Sequence, residues 1–290
     1  MPALIGGGFA FNSIIASIII TIVLFTSCSN NTPTKNQGGV ISLLPSITET
    51  ICAIGAEKEL VAVSKFCVYP PNVVDSLPKV GDCIHPNFEA ILRLRPRLVF
   101  LGDMQGEAAS RLRNMGIKVV SIRQSSLSDF YKGLDTIGVL LGRKQKCDSL
   151  GAAMKSVFDS LSNQWKGTKP VKTLFVVGRN PGTLANIYTM NSQSFISELL
   201  KISGGESIFD SVSTVWCKIS LEDIMIKNPD VIMETVLMGN GVEGAEIWRQ
   251  IPSLNAVKNN RLYTIRNDYI FVPGPRMTEI AKLIHSILHK

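Results

Sequence analysis

The sequence predicts an α/β protein built from two similar lobes, and three observations carry that expectation. Two stretches, Glu89-Ala-Ile-Leu-Arg-Leu-Arg-Pro96-Arg-Leu-Val-Phe and Glu222-Asp-Ile-Met-Ile-Lys-Asn-Pro229-Asp-Val-Ile-Met, follow one plan. In each, a glutamate opens a short helix, an apolar residue stands two positions on, and a proline seven positions on leads into an apolar run. On both sides of the chain's middle, short strand-like runs alternate with helical patterns, the order that makes a parallel sheet covered by helices on both faces. Between the halves lies a long helical stretch, stiff enough to join them. Helix, proline, strand is also a common α/β phrase, because proline ends a helix and permits extended chain after it, so chance convergence is the competing account of the repeat. If the repeat is real, one cleft lies between two like lobes and the glutamates occupy corresponding points on one surface.

The elements follow in order. Residues 39–44 read as a buried strand, then Pro45-Ser46 opens a helix over 47–54, with Ser46 and Glu49 spaced as a capping box. Strand candidates at 60–63, 98–101 and 119–122 alternate with helices near 89–94 and 108–115. The long helical stretch runs from about 127 to 165 and breaks near Gly142; its second part carries Leu150, Met154, Val157, Phe158 and Leu161 at helical spacing. Beyond Pro170 the alternation resumes, with strands at 173–177, 231–234 and 262–265 and helices at 195–202, around Glu222, and at 277–288. The expected organisation is a leader over 1–27, a tether over 28–39, an N-terminal lobe over 40–143, an interlobe helix over 144–168 and a C-terminal lobe over 169–290.

Composition bounds the possibilities. At 290 residues, 45% hydrophobic and 18% charged, the chain supports two ordinary cores, and disorder is not expected. The first 27 residues contain no Lys, Arg, Asp or Glu, and the apolar run 14–25 is too short for a bilayer span, which needs roughly 20 residues, but suits a secretory signal. It ends in Leu24-Phe25-Thr26-Ser27-Cys28, which resembles a bacterial lipoprotein signal, implying lipidation at Cys28 and a folded part anchored outside the cytoplasm; an uncleaved anchor is the alternative. Residues 29–39 are polar and aperiodic, as in a flexible tether. The five other cysteines are odd in number and lack a CxxC, so they cannot all pair within the chain. Cys52 reads as core, and neither cysteines nor histidines have zinc-ligand spacing. The formal charge of +7 is dispersed, without the aromatic and basic interleaving of a nucleic-acid surface; it reads first as a solvated basic surface, with attraction of an anionic ligand as the alternative.

Six motifs together resemble one family: Ser42-Leu-Leu-Pro-Ser-Ile-Thr-Glu-Thr, Val61-Ala-Val-Ser with Tyr69-Pro-Pro, Asn87-Phe-Glu-Ala-Ile, Gly204-Gly-Glu, Ser220-Leu-Glu-Asp and Pro273-Gly-Pro-Arg276. In order and spacing, from about residue 40 to the end, they look like the substrate-binding proteins of ABC importers for vitamin B12, haem and ferric siderophores, and are most similar to the cobalamin branch. The resemblance implies two Rossmann-like lobes joined by a single long helix (the class III periplasmic-binding-protein fold), with cargo held in the cleft and little closure. It implies no intrinsic cofactor and a partner formed by a permease dimer with its ATPase subunits. Glu89 and Glu222 match the glutamates that pair with permease arginines in that family, although acidic residues also favour helix starts for their own sake.

Trp216 matches a tryptophan that packs on the corrin, Tyr69 a tyrosine of the same site, and Asp268 an aspartate that hydrogen-bonds the ligand's amide periphery. Cys83 and Trp216 stand six residues before Glu89 and Glu222 respectively, which places them at corresponding points of the rim. Cys83 and Gly102 stand where the B12 receptor has tryptophans, and Val272 where it has arginine, so haem and ferric siderophores stay open as cargo. For haem, His85 or Tyr69 would be the axial ligand, although a loop histidine is more often solvated. Arg179, in Gly178-Arg-Asn-Pro-Gly, would contact carboxylates of the cargo or stand in water. Ser46 would bring helix N-terminal amides to the cargo or only cap its helix. From another class, an exported thiol enzyme could use Cys83 with His85, but no third orienting residue and no hydrolase motif accompany them.

Overall fold

The computed structural model describes residues 38–210, 216–236 and 244–290. The expected leader, the lipidation site Cys28 and the tether up to residue 37 lie outside the described residues.

The first lobe alternates β1 (Val40–Ser42), α1 (Pro45–Ala53), β2 (Leu60–Val63), α2 (Pro71–Val74), α3 (Phe88–Leu94), β3 (Leu98–Gly102), α4 (Gly106–Asn114) and β4 (Val119–Ile122). Two helices follow, α5 (Leu127–Leu140) and α6 (Lys144–Gln164). The second lobe contains β5 (Val171–Val176), β6 (Ile187–Met190), α7 (Phe195–Ile202), β7 (Gly205–Ser207), β8 (Trp216–Ile219), α8 (Leu221–Lys227), β9 (Val231–Thr235), α9 (Asn255–Lys258), β10 (Leu262–Ile265) and α10 (Met277–Leu288). The first sheet is ordered β2-β1-β3-β4 and the second β10-β9-β5-β7; both are parallel. Read from its other edge, the second sheet has the sequence second, first, third, fourth strand, as does the first. The lobes therefore share one topology, and the antiparallel ribbon β6–β8 is an addition to the second.

The repeat is visible residue by residue. Asn87 caps α3 by accepting from the Ala90 amide, and Ser220 caps α8 by accepting from the Asp223 amide. Ile91 and Ile224, two positions after the glutamates, are both fully buried. Each helix ends on a left-handed residue, Arg95 and Asn228 with φ of 46°, and the proline and strand follow.

Side chains alternate across the strands because successive residues of a strand face opposite sides. Leu98 and Phe100 join an inner cluster while Val99 and Leu101 face an outer one, and in the second lobe Phe175 and Val177 point inward while Leu174 and Val176 point outward. Each lobe thus has its own outer core. The inner cluster is continuous through both lobes, by way of Phe130, Leu134 and Ile137 of α5, Met154, Phe158 and Leu161 of α6, and Ile280 and Ile284 of α10.

At the turn between α5 and α6, Gly142 has φ +64°, a conformation that ends the first helix without a Cβ penalty. A Cβ on Gly138 would come within 2.9 Å of Cys147 Sγ, so glycine there lets the two helices approach. The capping box expected at Ser46 is absent. Leu44 is the N-cap of α1, Pro45 fills its first turn, Ser46 is already inside the helix and Glu49 turns toward Arg276. The actual capping box is Ser126 with Asp129, at the start of α5.

Candidate functional site

The strand order places a crevice between the C-terminal ends of the strands, where neighbouring connections depart to opposite sides. Loops leaving β1, β3 and β4 supply Leu44, residues 102–105, Gln124 and Ser125; the facing lobe supplies Met190, Ser194, Phe195, Trp216, Phe271 and Pro273. They enclose a mainly apolar cavity of about 290 Å³. Trp216, at the start of β8, is 53% exposed and its ring lies 5.8 Å from that of Phe271, so two aromatic faces are offered to whatever enters.

A second cavity of about 390 Å³ is lined by sequence neighbours of the first: Leu44, Phe271 and Pro273 line the first, and Pro45 and Val272 the second. Its character is different. Glu49, Lys65, Phe66 and Val68 line it from the first lobe, and Arg266, Asn267, Asp268 and Arg276 from the second.

Arg276 governs this polar half. Its Nε and Nη2 donate to the two carboxylate oxygens of Glu49 at 3.0 and 2.6 Å, with both side chains nearly buried, and Asp268 lies 3.8 Å from Nη1. The guanidinium stacks over the rings of Tyr69 at 4.2 Å and Tyr269 at 4.3 Å. Burial pushes the Glu49 carboxyl above the usual range, and the hydrogen bonds from Arg276 only partly offset it. Burial also works against the Arg276 charge, but its hydrogen bonds to Glu49 more than compensate and hold the guanidinium protonated.

The expected residues fall into two sets. Trp216 and Asp268 line the cavities, and Tyr69 meets them through Arg276. Ser46 is buried, and its hydroxyl accepts a hydrogen bond from Gln124 Nε2, so the side chain is occupied. Arg179 lines neither of the two cavities. Its side chain is 6% exposed, pairs with the buried Glu234 at 3.0 Å and donates to the carbonyls of Asn180, Thr183 and Gly244. The buried charge of Glu234 draws it inward, where it ties loops of the second lobe together.

Cys83 and His85 line neither cavity. Asp82 folds their turn back on itself by accepting from the amides of Ile84 and His85 at 2.8 and 2.6 Å, and it pairs with Lys65 at 2.8 Å. Lys65 first, and then the His85 amide, hold the Asp82 carboxyl down to about 2. The His85 ring is largely exposed with Nδ1 3.7 Å from Asp82, while burial, with the Asp82 charge, pushes the Cys83 thiol up. An activated thiol requires the opposite shift.

Glu89 and Glu222 are both exposed in the first turns of α3 and α8. A helix that feeds directly into a parallel strand runs antiparallel to it, so both glutamates stand on the cleft side of the molecule. Glu89 accepts from Arg93 at 2.6 Å, a contact in open solvent that is readily exchanged. Sequence reasoning missed Lys65, Phe66, Val68, Met104, Met190 and Phe271 as cavity walls. It quoted Arg276 only as part of a motif; the motif itself was the signal for it.

Two lobes of one topology, a stiff helical join and a two-part cleft define a solute-binding protein. The chain belongs to the periplasmic binding protein family, whose pattern matches residues 40–269. It is 30% identical over 263 residues to an uncharacterised ABC transporter substrate-binding lipoprotein, YvrC, of Bacillus subtilis, covering 87% of this chain and 81% of that one. It is 26% identical over 270 residues to a vitamin B12-binding protein of Photorhabdus laumondii, covering 92% and 93%. Among solved structures, a possible iron-binding (periplasmic solute-binding) protein from Staphylococcus epidermidis superposes with a TM-score of 0.74 at 27% identity over 87% of this chain and 98% of that one. The haem-binding protein HutB of Vibrio cholerae shares the fold with a TM-score of 0.74 at 22% identity, over 87% and 99%.

Proposed function

We propose that the chain is the lipid-anchored, extracytoplasmic substrate-binding component of an ABC importer, and that its cargo is a corrinoid. Family membership and the Bacillus subtilis and Photorhabdus laumondii relatives support the importer role. The observation that carries the cargo is the pairing of an apolar cavity walled by Trp216 and Phe271 with a second, polar one walled by Asp268, Asn267 and Arg276. A broad, mainly apolar macrocycle with an amide-bearing periphery matches such a divided site.

No bond is made or broken in this role. Cargo is captured by burial, oriented by the polar wall and presented to a permease whose arginines meet Glu89 and Glu222, while acyl chains on Cys28 hold the protein at the membrane. Haem is the less favoured cargo, since it needs an axial ligand. The His85 ring stands beside Asp82 and lines neither cavity, and Tyr69 is stacked on Arg276. A corrinoid brings its own cobalt ligands, and a ferric siderophore is likewise complete before it binds. The cationic Lys65 and Arg266 in the second cavity make the siderophore the second reading.

Native mass spectrometry with cyanocobalamin, haemin and a ferric siderophore offered together tests this directly. A one-to-one adduct with cyanocobalamin is expected. An adduct with either competitor alone would reassign the cargo.

A further inference from the structure

Arg276 stands at the start of α10 in the second lobe, yet two of its four strong contacts belong to the first. Glu49 on α1 takes the guanidinium fork in a bidentate pair, and Tyr69 covers one of its faces. From its own lobe, the Tyr269 ring lies 4.3 Å from the guanidinium carbon and Asp268 approaches Nη1. The backbone is equally close. A Cβ on Gly274 would lie 3.4 Å from both Glu49 Oε2 and the Cα of Ser46, so the Pro273-Gly-Pro loop rests on α1. A planar cation held by a bidentate carboxylate and packed against two rings is constrained in a way that lysine, a point charge, cannot reproduce.

We propose that Arg276 is the positioning residue of the cleft: through Glu49 and Tyr69 it locks the two lobes at one spacing before cargo arrives. The inference rests on the binding role above only for its consequence, since every contact of the lock is made within the chain itself. Locked walls mean that little ordering remains to be done on binding, and preorganisation of this kind appears as affinity. The buried pair is poorly explained as a source of fold stability, because desolvating both charges offsets most of their attraction. It is well explained as a geometric constraint, because it joins the walls of the larger cavity.

Hydrogen–deuterium exchange on the full cargo-free chain tests the lock. In Arg276→Ala, peptides of the first lobe that cover residues 44–54 and 65–70 are expected to exchange faster, while those covering β3 and β9 do not change. Arg276→Lys should fall between that variant and the parent. Because Arg276→Ala leaves the buried Glu49 carboxyl without its partner, the double variant Glu49→Gln, Arg276→Gln removes the lock without a stranded carboxyl and should show the same pattern. Unchanged exchange in the first lobe of a folded double variant would overturn the proposal, since a role confined to the second lobe predicts just that. Cyanocobalamin affinity is the second readout, expected to fall about tenfold in the double variant. If the parent does not bind cyanocobalamin, the cargo assignment fails while the exchange result still decides the lock.

Discussion

Single side chains set the sharpest expectations. Trp216 lines the smaller cavity and is half exposed, so Trp216→Ala removes one of its three aromatic walls, the others being Phe195 and Phe271. Aromatic anchors of this kind contribute about 2 kcal/mol or more, so cyanocobalamin affinity measured by titration calorimetry should fall roughly 30-fold. Asp82 governs a different property. Its carboxyl titrates at about 2 instead of 3.8, so its contribution to stability is complete above 3.8 and is lost as the pH falls through about 2. In urea unfolding between those limits, the parent should lose stability more steeply than Asp82→Asn; parallel curves would mean that the Lys65 and amide contacts do not form in solution. At this scale the sequence was only partly legible. Trp216 and Asp268 were singled out by their match to the family's ligand-site residues, and both line the cavities. Arg179 could not be placed, because its partner Glu234 comes from a different strand and only the assembled sheet brings the two side chains within 3.0 Å. Cys83 was expected at the rim from its distance to Glu89, with His85 in the same loop; Asp82 accepts from the amides of that turn, and neither residue lines the two cavities.

Among elements, the matched helices α3 and α8 allow one comparison to be read twice. Both end in a left-handed residue, but the first uses arginine and the second asparagine. A left-handed conformation costs an ordinary L-residue about 1–2 kcal/mol, and asparagine bears it more easily than most. Arg95→Gly should therefore raise stability by about 1 kcal/mol, whereas Asn228→Gly should change it little, as urea midpoints on the two variants would reveal. Equal effects would show that something other than backbone strain fixes these ends. Ser126 offers a control of opposite sign: its hydroxyl and the Asp129 carboxylate form the capping box of α5, so Ser126→Ala should cost about 1 kcal/mol. The strand and helix order was legible because apolar runs, prolines and caps are local signals. Ser46 shows where such signals mislead. Its spacing to Glu49 satisfies the capping pattern, but the preceding proline starts the helix two residues earlier, and Glu49 is taken by Arg276, 227 positions away. The ribbon β6–β8 went unread for a related reason, since its two strands are separated in sequence by α7 and β7.

The whole molecule turns on what joins the lobes and what they present together. Their inner cores are one cluster through α5, α6 and α10, and the Glu49–Arg276 pair closes the cleft side, so the lobes are tied at both the back and the mouth. The exposed glutamates on α3 and α8 occupy equivalent places in the two copies of the fold, each with an exposed apolar residue three positions on, Leu92 and Met225. Residues three apart on a helix share a face, so each lobe offers an acid beside an apolar contact, which suits a partner surface that is itself present twice. Glu89→Lys and Glu222→Lys should then each weaken association with the permease by about tenfold, and more at low ionic strength, because attraction becomes repulsion. Neither change touches a cavity, so cyanocobalamin affinity should be unaltered. Measuring cargo-stimulated ATP hydrolysis by the reconstituted importer across a salt series separates the two effects. Normal stimulation in the double reversal would remove both glutamates from the docking surface, whereas loss of stimulation together with loss of cargo binding would point to a damaged fold.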